Sequence, residues 1–150
     1  LKERQKDSAG PEEITRFPGL KVLVVEDSEH VRYFARQLLG ELGCSVIEAS
    51  NGNEALKQLK EYDVDLVFSD IVMPGMSGLD LAKTVRETYT DIPVLLASGY
   101  SSKQFIPQNE REFPILRKPY KLETLTAGIG QLMNVSVGLE EGSNDGNMTA

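Results

Sequence analysis

The stretch KVLVVED, residues 21–27, holds an apolar run, VLVV at 22–25, that is followed directly by two carboxylates. Two further apolar runs also end in charge: LVFSD at 66–70 ends in Asp70, and FPILRK at 113–118 ends in Lys118. Short runs rich in Val, Ile and Leu are typical of strands that are buried on both faces of a parallel sheet. Because the working site of such a sheet lies at the carboxyl ends of its strands, we expect these charged residues to meet at one edge.

Strand and helix patterns alternate along the chain. The predicted strands are Lys21–Val25, Ser45–Ala49, Asp65–Ser69, Pro93–Ala97 and Phe113–Arg117. The predicted helices are a segment from an N-cap at Ser28 to Gly43, then Asn51–Tyr62, Ser77–Tyr89 and Lys121–Met133. The alternation predicts an α/β fold: a doubly wound, flavodoxin-like sheet of five parallel strands with helices on both faces. The expected strand order is 2-1-3-4-5, with the alternating second strand at an edge.

One segment does not follow this alternation. A helix is expected between the fourth and fifth strands, but residues 101–112 offer only Phe105 and Ile106 as apolar anchors. Pro107 also removes a helical N–H group there. We therefore expect this helix to be short or irregular.

The composition limits the classes of protein to which this chain can belong. Its 150 residues, 40% hydrophobic, suit one domain, which we place at 20–134 between a linker or lead-in at 1–19 and a flexible tail at 135–150. The net charge of −7 argues against nucleic-acid binding or membrane contact by this domain. The single cysteine, Cys44, suits a reducing, cytoplasmic compartment. The chain starts at Leu1 rather than Met, so we expect it to be a piece of a longer protein.

The converging carboxylates predict a metal site. Carboxylates about 4 Å apart repel each other by roughly 1–4 kcal/mol per pair at intermediate dielectric. A hard divalent cation with oxygen ligands relieves that repulsion, and Mg²⁺ is the usual choice where phosphate chemistry follows.

Four segments together resemble the receiver domain of two-component response regulators. The segments are VLVVEDS at 22–28, SDIVMPGMSG at 69–78, LASGY at 96–100 and RKPY at 117–120. They occur in the expected order and on the expected elements, and the resemblance covers about residues 21–133.

The resemblance implies a role for each residue at the strand ends. Asp70 would accept a phosphoryl group from a phosphohistidine. Mg²⁺ would be held by Asp27, Asp70 and the backbone carbonyl of Val72, with Glu26 reaching it through water. Ser98 and Lys118 would contact phosphoryl oxygens, and the Lys118–Pro119 peptide bond of such domains is often cis.

The details most resemble the receiver of a hybrid sensor histidine kinase, which passes its phosphoryl group to a histidine phosphotransfer protein. The resemblance implies that the domain itself is a signalling module and that an enzymatic activity, that of a histidine kinase, would belong to the parent chain. A stand-alone regulator that binds a target when phosphorylated is the alternative. A remote alternative, an aspartate-nucleophile phosphohydrolase, would want a second carboxylate two residues after Asp70, where Val72 stands.

The fifth strand departs from the family pattern. Receivers usually carry Tyr or Phe two or three residues before the lysine, and its ring turns inward on phosphorylation. Ile115 and Leu116 occupy those positions here, so the resemblance does not explain how the switch works.

Overall fold

The computed structural model describes residues 15–99 and 113–134. The strands are β1 (Lys21–Val25), β2 (Ser45–Ala49), β3 (Leu66–Asp70), β4 (Val94–Ser98) and β5 (Ile115–Arg117). The helices within the described residues are α1 (Glu29–Glu41), α2 (Gly52–Glu61), α3 (Gly78–Thr88) and α4 (Leu122–Met133). The predicted short or irregular helix at 101–112 lies outside the described residues. None of the described helices is long and apolar enough to cross a membrane.

All five strands are parallel and lie in the order β2-β1-β3-β4-β5. The predicted order 2-1-3-4-5 is therefore confirmed, with β2 at an edge. The central strands β3 and β4 are buried along their whole length, as their apolar sequences predict.

Successive side chains of each strand point to opposite faces, so the sheet divides the core in two. In β1, Leu23 and Val25 pack on the face that α2 and α3 cover. Val22 and Val24 pack on the other face, which α1 and α4 cover. The apolar strands are thus shielded from water on both sides.

Polar side chains cap three of the helices. Ser28 accepts a hydrogen bond from the Val31 amide before α1, and Asn51 accepts one from the Glu54 amide before α2. Ser77 does the same before α3 by accepting from the Asp80 amide. The predicted helices at 51–62 and 77–89 were one residue too long at each end, because they included the N-cap residue and the C-cap residue.

Two strands end one residue later than predicted. β3 includes Asp70 because Asp70 pairs with Ala97 of β4. β4 includes Ser98 because Ser98 pairs with Arg117 of β5. Both polar residues are therefore held within the sheet and do not begin a loop.

The segment before β1 packs against the end of α1. The Phe17 amide donates to the Leu42 carbonyl at 2.7 Å, and the Arg16 guanidinium donates to the Glu41 carbonyl at 2.9 Å. The Phe17 side chain is buried in the α1–α4 side of the core. These bonds satisfy carbonyls that a helix C-terminus leaves without partners.

Candidate functional site

The charged residues singled out in the sequence lie at the carboxyl edge of the sheet. Glu26 and Asp27 follow β1, and Asp70 is the last residue of β3. Ser98 is the last residue of β4, and Lys118 follows β5. Parallel pairing therefore brings together residues that are far apart in the sequence.

Three carboxylates form a compact cluster at this edge. Glu26, Asp27 and Asp70 each offer one oxygen, and these oxygens lie within 4.8 Å of one another. Glu26 and Asp70 are only 5% and 8% exposed, whereas Asp27 is open to solvent. Ligands can therefore approach the cluster from the Asp27 side.

Lys118 reaches two of these carboxylates. Its Nζ lies 3.0 Å from Asp70 Oδ1 and 3.2 Å from Glu26 Oε1. The Lys118 backbone amide donates to the Ser98 carbonyl at 2.8 Å, and the following peptide bond to Pro119 is cis, as the resemblance implies. The end of β5 is thus held so that the lysine side chain reaches across the edge.

Burial sets the electrostatics of this site. Burial raises the pKa of Asp70 and of Glu26, and neighbouring carboxylates raise both further, against the opposing effect of Lys118. Burial alone would lower the pKa of Lys118, but Asp70 and Glu26 outweigh it and raise that pKa. One ammonium therefore does not fully offset three carboxylates, and the site favours an added cation.

The two buried carboxylates are not equally available. Glu26 already receives hydrogen bonds at both oxygens, from Lys118 at Oε1 and from the Ser28 amide at Oε2. The exposed Asp27 and the strand-end Asp70 are left as the better candidates for direct metal contact. Carboxylate oxygens are the donors that Mg²⁺ prefers, so the residues present fit such an ion.

Ser98 and Val72 flank the cluster. The Ser98 side chain is buried, and its hydroxyl donates to the Gly99 carbonyl at 2.9 Å. Since Asp70 pairs with Ala97, Ser98 lies one residue further along the neighbouring strand. Val72 follows Asp70 by two residues, and its side chain is 61% exposed.

The loop after β3 packs tightly under Asp70. The Gly78 amide donates to the Ile71 carbonyl at 2.8 Å. A Cβ atom added at Gly78 would lie 2.1 Å from the Asp70 backbone oxygen, which no side chain can occupy. The close approach of the two backbones at this point therefore requires glycine at position 78.

Sequence reasoning assigned no role to two residues that touch this region. Tyr120 is buried beneath the site, where its ring contacts those of Phe34 and Phe68. Arg32 of α1 donates to the Glu26 backbone carbonyl at 2.8 Å. The sequence does contain a signal for Arg32. A cation near a helix N-terminus interacts unfavourably with the helix dipole, so an arginine at this position indicates a specific bonding partner.

The five-stranded, doubly wound parallel sheet is of the flavodoxin-like class, and an acidic cluster with a lysine lies at its carboxyl edge. The sequence comparison is more specific. The profile of the family "Response regulator receiver domain" matches residues 22–129. The chain belongs to this family and is a receiver domain of two-component signalling.

Its relatives include a sensor kinase, a sensor protein and a response regulator. Sensor kinase CckA of Brucella abortus is 37% identical over 75% of this chain, which spans 12% of CckA. The aerobic respiration control sensor protein ArcB of Escherichia coli is 35% identical over 82% of this chain, which spans 16% of ArcB. The response regulator receiver protein CpdR of Brucella abortus is 30% identical over 75% of this chain, and there the match covers 96% of the relative.

Solved structures show the same fold. A response regulator receiver domain protein from Clostridium thermocellum is 26% identical, with a TM-score of 0.70 over 77% of this chain and 94% of that one. The response regulator TrrA of Thermotoga maritima, solved in complex with Mg²⁺–BeF, is 29% identical, with a TM-score of 0.67 over 75% of this chain and 98% of that one.

Proposed function

We propose that this domain takes a phosphoryl group from a phosphohistidine onto Asp70 in a Mg²⁺-dependent reaction. The observation that carries this proposal is the position of Asp70. Its carboxylate lies at a strand end, 3.0 Å from the Lys118 ammonium and beside two further carboxylates. Phosphoryl transfer needs positioning and charge neutralisation more than acid–base help, and this site offers both.

In the proposed reaction an Asp70 carboxylate oxygen attacks phosphorus. The O–P bond forms, the N–P bond of the phosphohistidine breaks, and its electron pair returns to the departing imidazole. The product is an acyl phosphate on Asp70. Lys118 exchanges its contact with Asp70 for a phosphoryl oxygen, and the Ser98 hydroxyl donates to another.

Mg²⁺ would be held by Asp27, Asp70 and the Val72 backbone carbonyl, with Glu26 in indirect contact. When bound, the ion supplies positive charge that offsets the repulsion between these carboxylates and the incoming phosphoryl group. The Mg²⁺–BeF complex of TrrA supports this choice of ion by family likeness. Lys118 keeps Glu26 in place through its own ion pair.

We propose that the parent protein is a hybrid sensor histidine kinase and that this receiver exchanges its phosphoryl group with a histidine kinase or a histidine phosphotransfer protein in the cytoplasm. Its likeness to parts of CckA and ArcB supports this. The proposed boundaries are 1–19 for the lead-in, 20–134 for the receiver and 135–150 for the tail. A stand-alone regulator, as the match to CpdR suggests, is the second candidate.

A groove beside the site fits such a partner. It has a volume of about 420 Å³ and is lined by residues of α1 and of the loop after β5: His30, Val31, Phe34, Lys118, Pro119 and Tyr120. Phe34 is 45% exposed there. An exposed aromatic next to a reactive carboxylate is suited to contact a protein donor.

The primary test uses intact-mass measurement. The full chain is incubated with a small-molecule phosphodonor and Mg²⁺, alongside Asp70→Asn and, as a matched control, the exposed Asp91→Asn. Wild type and the control should each gain one phosphoryl group, and Asp70→Asn should gain none. No gain in wild type, or an equal gain in Asp70→Asn, would overturn the proposal. Removal of Mg²⁺ with EDTA should abolish the gain in mass of the wild-type chain.

The partner proposal is tested with a purified phosphorylated histidine phosphotransfer protein as donor. Phe34→Ala should slow this transfer by about tenfold, the usual size of an aromatic interface anchor. Transfer from a small phosphodonor should stay unchanged. Tyr62→Ala removes a comparably exposed aromatic away from the groove and should leave both rates unchanged. Equal slowing with both donors would place the Phe34 effect in the site instead of the interface.

A further inference from the structure

Arg32 connects the acidic loop to the rest of the fold. It is the fourth residue of α1, and its Nη1 donates to the Glu26 backbone carbonyl at 2.8 Å. That carbonyl belongs to the peptide group between Glu26 and Asp27, the two acidic residues that follow β1. Arg32 is therefore bonded to the backbone that carries both carboxylates, and not to the carboxylates themselves.

Glu48 on the edge strand β2 holds Arg32 in turn. Arg32 Nε lies 3.0 Å from Glu48 Oε1, and the Arg32 side chain is only 18% exposed. The Glu48 backbone carbonyl also accepts from Gln58 of α2 at 3.1 Å. The guanidinium thus spans three elements, since it belongs to α1 and bonds both the end of β1 and β2.

Arg36 provides an outer counterpart on the same helix. Its Nη1 lies 3.5 Å from the other Glu48 oxygen, and its side chain is 57% exposed. Arg32 and Arg36 thus share one carboxylate, but the bond to the Glu26 carbonyl belongs to Arg32.

Charge alone does not explain why an arginine occupies position 32. A cation in the first turns of a helix opposes the helix dipole, and a cation near a Mg²⁺ site repels the metal. Geometry offers an explanation, because a guanidinium donates in fixed directions from a rigid plane and can hold two acceptors at once.

We propose that Arg32 is a positioning residue for the metal and phosphoryl site, and that Glu48 orients it. By fixing the Glu26–Asp27 peptide group, Arg32 keeps Asp27 close to Asp70 before any ion binds. This inference rests on the proposed function, because the pre-arranged carboxylates matter only if the site takes Mg²⁺. Outer partners of metal ligands commonly change metal affinity by about 10- to 100-fold.

The test measures the Mg²⁺ dissociation constant of the full chain by calorimetric titration for wild type, Arg32→Met and Arg36→Met. Both substitutions remove one positive charge near the site, so an electrostatic effect alone would tighten Mg²⁺ binding in both. Positioning predicts the opposite for Arg32→Met, a weakening of about tenfold, with Arg36→Met within twofold of wild type. Arg32→Lys keeps the charge but not the planar fork, and should weaken binding several-fold.

A metal-free measurement accompanies the titration. The Ser28 amide donates to Glu26 Oε2 at 3.1 Å and so reports on the order of the acidic loop. In EDTA, hydrogen exchange at this amide should be about tenfold faster in Arg32→Met than in Arg36→Met.

The outcomes separate the two proposals. If wild type binds Mg²⁺ and Arg32→Met binds it as tightly or more tightly, the positioning role is wrong and the proposed function stands. Equal weakening in Arg32→Met and Arg36→Met also overturns the positioning role. If wild type does not bind Mg²⁺, the proposed function fails and this inference fails with it. Should Arg32→Met not fold, wild-type affinity in Arg32→Lys would overturn the inference.

Discussion

The two ends of the sheet affect the stability of the fold in opposite directions. At the amino end, Phe17 is buried, and backbone bonds of 2.7 and 2.9 Å tie the lead-in to Leu42 and Gly43 after α1. At the carboxyl end, Glu26 and Asp70 are buried, and burial raises the pKa of both, so that their ionised forms are held at a cost. The contacts at the amino end stabilise the fold, whereas the buried carboxylates at the carboxyl end destabilise it.

This difference is expected of a protein whose function depends on charge. In the proposed function these carboxylates bind a cation and accept a phosphoryl group, and groups with such roles have to be concentrated and partly shielded from water. Such an arrangement destabilises the fold until its ligand arrives. The predictions below test this contrast between the two ends.

The largest effect is expected at the carboxyl end, from Gly78→Ala. The added Cβ would overlap the Asp70 backbone oxygen, and neither backbone can move without disturbing the strand end. The free energy of unfolding should fall by about 4 kcal/mol, as measured by urea denaturation.

Gly40→Ala is the matched control for this prediction. Gly40 is also helical, but a Cβ there meets nothing within 4 Å, so this change should raise the free energy of unfolding by about 0.5 kcal/mol. A similar small gain for Gly78→Ala would refute the tight backbone packing beneath Asp70.

The next effect is expected at the amino end, from Phe17→Ala. Phe17 packs among buried apolar residues of the α1–α4 side, and its loss should lower the free energy of unfolding by about 3 kcal/mol. Phe34→Ala, in the groove beside the carboxyl end, should cost only about 1 kcal/mol because that ring is 45% exposed. Equal losses in thermal or urea unfolding would remove the contrast between the ends.

A smaller gain is expected from Asp70→Asn without Mg²⁺. An acid whose pKa is raised by folding holds its proton longer in the folded state than in the unfolded state, so stability falls as pH rises above its ordinary value of about 3.9. At pH 7, above that ordinary value, Asp70 carries the penalty, and Asp70→Asn should raise the free energy of unfolding by about 1 kcal/mol. Lys118 keeps Glu26 as a partner in this variant.

The gain from Asp70→Asn should shrink as the pH falls and should vanish below about 4, where wild-type Asp70 becomes protonated in the unfolded state as well as in the folded state. Urea unfolding in EDTA at several pH values measures this trend. A gain that does not depend on pH would show that ionised Asp70 is not the source of the penalty. The exposed Asp91→Asn should change stability by less than about 0.5 kcal/mol throughout.

The last prediction concerns the reactivity of Cys44 and needs no substitution. Burial raises the pKa of the Cys44 thiol to about 11, and the side chain packs against the same side of the core as Phe17. Alkylation at pH 8 should therefore be at least about 100-fold slower in the folded chain than in denaturant. Its rate should keep rising with pH up to about 11. A rate equal to that of the denatured chain would mean that the amino end is open.

The sequence predicted the strands of the sheet and the residues at its reactive edge, because buried parallel strands leave a strong apolar signal and their ends share one edge. It missed that Asp70 and Ser98 belong to the strands. The apolar pattern stops before each of them, whereas pairing with Ala97 and Arg117 carries each ladder one residue further.

The sequence by itself determined the architecture and brought Glu26, Asp27, Asp70 and Lys118 to one edge, since local periodicity and chain order are enough to place charged strand ends together. Ser98 was added to this set by the resemblance to receiver domains. The tertiary structure alone decided how these residues are held. The bonds from Arg32 to Glu48 and from Lys118 to Glu26 join residues 16 and 92 positions apart. Side-chain contacts of this kind depend on how distant elements pack together, which no local pattern encodes.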